Sequence, residues 1–133
     1  MPLTFETLLD EKIVIITFIK PVQIDEDMVT MQRNMAELLA STDDHYYTVY
    51  DISGLDEDLP FGDLVQALGY LRGDRAAQIA ERTTTLLVGP PRLVNPIAAA
   101  SGQFQYEAAE VVSISNTIPQ ALEQIRLLKA ATA

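Results

Sequence analysis

The chain contains no cysteine. That absence removes disulfides, thiolate zinc sites and cysteine nucleophiles together. It contains a single histidine, His45. One imidazole without any thiolate is a poor basis for a zinc or iron site. Long apolar runs are also missing. The longest, Ile13 to Ile19, is too short to span a bilayer and is interrupted by Thr17. The N-terminus, MPLTFETLLDEK, lacks the basic start and apolar stretch of an export signal. These features read as a soluble, cytoplasmic protein with no membrane insertion.

Positive charge is scarce. Nine Lys and Arg stand against nineteen Asp and Glu, for a net charge of −10. An acidic chain repels phosphate backbones, so nucleic acid is not an expected partner. The charge is uneven. Residues 1–63 hold fourteen acids against Lys12, Lys20 and Arg33, whereas residues 64–133 hold five acids against six bases. Solubility is the common reason for such a surplus. The sharper reading is an acidic face for a basic protein partner.

What is present is a core. The 133 residues are 48% hydrophobic, enough for one domain over 1–133 without staples. Leu3 to Leu9 reads as an edge strand, Asp10 and Glu11 as a tight break. Lys12 to Ile19 is apolar on both faces, as a buried strand is. The two form an N-terminal hairpin. Asp25 offers an N-cap, with Glu26 and Asp27 in the first turn. Met28, Met31, Met35, Leu38 and Leu39 then keep helical spacing to about Ala40. Three methionines in one stripe can line an adaptable groove, but a core-facing stripe is the commoner arrangement.

Tyr46 to Ile52 is a β-branched and aromatic strand. Phe61, Leu64, Val65, Leu68 and Leu71 predict a helix entered through Pro60, and Asp74 to Arg82 a further short helical piece. Thr83 to Val88 is a second interior strand, left sharply through Gly89, Pro90 and Pro91. A helix follows from Leu93, with Pro96 near its start. Glu110 to Ser115 is the last strand. Thr117 to Gln120 forms a capping-box pattern before a final helix carrying Ile118, Ala121, Leu122, Ile125 and Leu128 on one face. The expected fold is α/β: a mixed sheet of about five strands, an N-terminal hairpin followed by parallel βα units, and about four helices.

The stretch richest in functional signals is Tyr46 to Asp63. A strand runs into Asp51, Ser53 and Gly54, then into Asp56, Asp58, Phe61, Gly62 and Asp63. In an open α/β sheet, ligands and partners bind at the loops leaving the C-terminal ends of the strands. Asp51, Asp56, Asp58 and Asp63 have the oxygen chemistry of a hard-cation site. Their spacing fits no EF-hand loop, and the run reads as a solvated loop with no metal. Ser53 has no Gly-x-Ser-x-Gly elbow, and His45 precedes the strand whose far end carries Ser53, so no catalytic pair is assigned. Ser53 reads as a turn residue. Gly89 followed by two prolines lacks the backbone N–H groups of a phosphate nest. A response-regulator reading needs an acidic pair after Ile19 and a lysine after the last strand. Lys20, Pro21, Ser115 and Asn116 stand there instead.

Element order and the segment Asp51, Ile52, Ser53, Gly54 resemble the STAS domain of anti-sigma-factor antagonists, the SpoIIAA-like fold. In that family a central strand enters Asp-Leu-Ser-Gly, and Asp-Ser-Ser-Gly opens the next helix. Without an insertion, Leu59, Pro60, Phe61 and Gly62 occupy the second segment, and only Gly62 fits. Phe61 stands where family members carry the phosphorylated serine, so this chain has no phosphoacceptor there. The resemblance implies a non-catalytic protein-interaction module without that switch. It binds through Asp51, Ser53, Gly54, Asp56, Asp58, Phe61, Gly62 and Asp63, uses no cofactor, and pairs with another protein or with itself. The rival is a small-molecule or lipid-binding STAS-like domain, and a carboxylate-based hydrolase is the third alternative.

Overall fold

Why the central strands are buried on both sides is clear from their alternation. The computed structural model describes residues 3–19, 23–55, 66, 78–79, 81–101 and 111–132. Five strands form one sheet in the order β1-β2-β3-β4-β5: Leu3–Leu8, Ile13–Phe18, Tyr46–Asp51, Thr83–Val88 and Val111–Ser115. β1 and β2 are antiparallel, and every later pair is parallel. In β2, Val14, Ile16 and Phe18 point to one face, and Ile13 and Ile15 to the other. β3 and β4 divide likewise, with Tyr46, Ile52 and Leu87 on the first face and Val49, Leu86 and Val88 on the second.

Three helices among the described residues cover these faces. α1 (Ile24–Ala40) and α2 (Pro91–Ser101) pack on the first face, and α3 (Ile118–Thr132) on the second. The methionine stripe of α1 is core: Met28, Met31, Met35 and Leu39 are all buried on the sheet. α3 contributes Ala121 and Ile125, both fully buried. The mixed five-stranded α/β architecture follows the expectation. Of the helix expected after Pro60, Gln66 is helical. Of the short helical piece expected over Asp74 to Arg82, residues 78–79 are helical, but Glu81 and Arg82 form a turn. The rest of both lies outside the described residues. No helix among the described residues is long and apolar enough to cross a membrane.

Two helix starts differ from expectation. α1 begins at Ile24 with Gln23 as its N-cap, so Asp25 lies inside the first turn. The cap comes from within the helix: Gln23 N–H donates to Asp27 Oδ2 at 2.9 Å. Asp27 is 2% exposed. Burial pushes its carboxyl up from the ordinary value, against the opposing effect of the Gln23 bond. α2 begins at Pro91, with Val94 N–H donating to Pro90 O. Pro91 takes the first-turn place where a missing N–H costs nothing, and Pro96 falls inside the helix. The Thr117 cap is present, its hydroxyl accepting from Gln120 N–H at 3.3 Å. The Gln120 side chain reaches one residue further back than a capping box requires, to Asn116 N–H.

The N-terminal end of the sheet is tied by Arg82. Its guanidinium donates to Leu39 O at 2.6 Å, Thr42 O at 2.5 Å and Asp44 O at 3.1 Å. It thereby joins the end of α1, the loop after it and the entry to β4. Around it, Lys12 pairs with Asp44 at 2.9 Å, and Lys129 Nζ donates to Glu11 O. Lys12 closes the hairpin turn at a φ of 59°.

Arg82→Ala is expected to lower unfolding free energy by about 2 kcal/mol, since a charged donor serving several carbonyls is lost. Arg82→Lys recovers only part of this, because an ammonium cannot reproduce the planar fork. Urea denaturation midpoints measure both. Asp27 sets a pH dependence. Its folded-state pKa is raised, so the folded chain holds the proton more tightly than the unfolded one. Its contribution is most favourable at low pH and is lost as pH rises through the folded pKa. Asp27→Asn keeps an acceptor for Gln23. Wild type is therefore expected to gain stability relative to Asp27→Asn as pH falls below neutral, read from paired unfolding curves.

Candidate functional site

At the C-terminal end of β3 the chain makes a short hydrogen-bonded turn. Asp51 is buried, and its Oδ1 accepts from Ser53 N–H at 3.0 Å and from Ser53 Oγ at 2.6 Å. Ile52 N–H donates to Val88 O and Leu55 N–H to Ile52 O, so β3 is held to β4 while the chain reverses. An aspartate two residues before a polar residue forms this local bond readily. Ser53 lies in the turn, but its hydroxyl donates to the Asp51 carboxylate and not, as expected of a turn serine, to its own backbone. Gly54 sits over the end of β2, where an added Cβ would make ordinary contact with Phe18 O at 3.5 Å.

The structure brings Asp51, Ser53 and Gly54 together. Asp56, Asp58, Phe61, Gly62 and Asp63 lie outside the described residues. Among the described residues, no three His, Asp or Glu side chains gather to hold a metal ion. His45 is exposed at the start of β3, the end opposite Ser53. Its Nε2 lies 2.7 Å from Thr84 Oγ1, and its ring meets Tyr47 edge-on at 5.6 Å. Partial burial and the nearby Arg82 charge lower its pKa. It has no contact with Ser53 that would make a nucleophile–base pair.

Register shows what surrounds Asp51. Thr4 pairs with Thr17, Thr17 with Asp51, Asp51 with Val88, and Val88 with Ser115. All five side chains point to the α3 face, since their neighbours Leu3, Phe5, Ile16, Phe18, Ile52 and Leu87 belong to the other core or Val88 to this one. The row is polar except for Val88. Sequence reading found Asp51 but not its row, because cross-strand neighbours depend on strand order and register.

A different feature lies under α1. Thr48 is buried on the α1 face with its hydroxyl unpartnered. Near it on the same strand face, Tyr50 OH has Met31 Sδ, a weak acceptor, at 3.8 Å. Burial pushes the Tyr50 hydroxyl up to about 12. A shallow open hollow also borders the start of α1, lined by Leu3, Asp25, Glu26, Val29 and Arg33 among others.

No family model matches the chain, and no curated protein matches its sequence.

Gly89 is the tight point beside the turn. A Cβ there would lie 3.0 Å from Val94 Cγ1 and 3.2 Å from Ile52 Cγ1. Gly89→Ala is expected to destabilise by about 1–3 kcal/mol through overpacking, measured by thermal unfolding. Gly54→Ala, with room for its Cβ, is expected to cost less.

Proposed function

We propose that the chain is a non-catalytic protein-interaction module of STAS-like architecture, cytoplasmic, with four helices once the segment around Gln66 is included. It binds a basic protein partner through the Asp51–Asp63 segment. Phe61 at the usual phosphoserine position leaves it without that switch. The observation that carries the reading is the Asp51–Gly54 turn. It ends the central strand of a hairpin-then-parallel sheet, the place and order the STAS resemblance implies. The acids that follow in sequence supply a negative field for the partner. Nucleic acid is disfavoured by the same charge.

A small-molecule or lipid-binding domain is the second reading. The observation favouring it is the buried Thr48 hydroxyl on the α1 face, which has no partner among the described residues and so costs free energy that a ligand acceptor would recover.

Reversal of charge tests the first reading. Wild type and a variant carrying Asp56, Glu57, Asp58 and Asp63 all as lysine are used as bait in parallel, with quantitative mass spectrometry of what co-purifies. The expected outcome is one stoichiometric protein recovered by wild type and depleted at least about tenfold by the variant, the size of a lost charge-complementary contact. Equal recovery contradicts the reading. An organic molecule extracted from the wild-type protein in place of a partner favours the second.

A further inference from the structure

We propose that the polar row beneath the Asp51 turn is a seat for one lysine or arginine side chain of the protein partner, with Asp51 Oδ2 as its counter-ion. This rests on the protein-interaction reading and specifies its chemistry. Asp51 Oδ1 is occupied by Ser53, but Oδ2 has no hydrogen-bond partner among the described residues. The Thr48 hydroxyl is the sealed, unpartnered side-chain atom among them, so Asp51 Oδ2 keeps contact with solvent. Asp51 is 7% exposed as a residue, and its carboxylate is half-satisfied. A buried charge left without an opposite charge is costly, and an incoming cation with several N–H donors relieves that cost.

The neighbours suit such a cation. Thr17 and Thr4 follow Asp51 across the row toward the β1 edge, and their hydroxyls make no hydrogen bond among the described residues. Exposure rises along the same line, from buried Asp51 through half-buried Thr17 to exposed Thr4. A long basic side chain entering over β1 would lay its stem along the threonine methyls and bring its charge to Oδ2. A metal ion is poorly served here, since one carboxylate oxygen and neutral hydroxyls make a weak donor set. Of the described bases, Arg82, Lys12, Arg126 and Lys129 each make a contact at the opposite end of the sheet.

The test is a titration followed by backbone amide NMR, with N-acetylarginine methylamide as probe and its uncharged citrulline counterpart as control. Saturable shifts are expected at residues 17, 51 and 53 with the arginine probe and not with the control. Asp51→Asn keeps an acceptor for Ser53 and so keeps the turn. It is expected to weaken the probe at least about tenfold, and Thr17→Val severalfold. Shifts spread evenly over exposed acids such as Glu37 and Asp43, or unchanged in Asp51→Asn, overturn the proposal. Binding seen only after Lys20→Gln overturns it too, by showing that the seat is filled from within the chain. A partner recovered in the bait experiment alongside a silent Asp51 seat removes this inference alone. A working seat with no partner removes the broader reading.

Discussion

The structure depends on a sheet that must be covered on both sides. Ile13, Ile15, Val49, Leu86 and Val88 face α3, while Val14, Ile16, Phe18 and Leu87 face α1 and α2. At about 25 cal/mol per Å² of apolar surface, neither set can be left to water. Helices on both faces are therefore obligatory. In an open α/β sheet built this way, partners and ligands are usually met at the loops leaving the C-terminal ends of the strands.

The two ends of the sheet are built differently. At the N-terminal end, polar groups are consumed by the fold. Arg82 holds three carbonyls, Lys129 holds Glu11 O, and His45 meets Thr84. At the C-terminal end the Asp51 turn uses one carboxylate oxygen and leaves the other, with the Thr17 and Thr4 hydroxyls beside it. Satisfied polar groups stabilise one conformation, whereas unsatisfied ones near a surface are available to a second molecule. The proposed site at the Asp51 end rests on this asymmetry.

Much of the fold was legible in the residues themselves. A strand buried on both faces reads as a continuous apolar run, and Ile13 to Phe18 does. The α1 stripe of Met28, Met31 and Met35 was visible from its spacing, and its packing on the sheet makes it core. What could not be read was whatever depends on contacts between distant segments. Asp27 caps α1 by reaching back to Gln23, against a local preference that pointed to Asp25. Arg82 bonds carbonyls some forty residues away, and its own segment looks like an ordinary helix end. Around the candidate site, the turn at Ser53 was legible, but its bond to the Asp51 carboxylate was not. The row of threonines beside them exists only once β1, β2 and β3 are aligned. The proposed STAS resemblance rests on that short turn and on element order.

Native mass spectrometry of the protein purified from its own cells, under conditions that preserve complexes, tests most directly whether the chain is an interaction module. The account predicts a complex of defined stoichiometry containing one other protein, dissociating as salt is raised because the contact is electrostatic. A chain carrying a small-molecule adduct of fixed mass, with no second protein at any salt concentration, would contradict it.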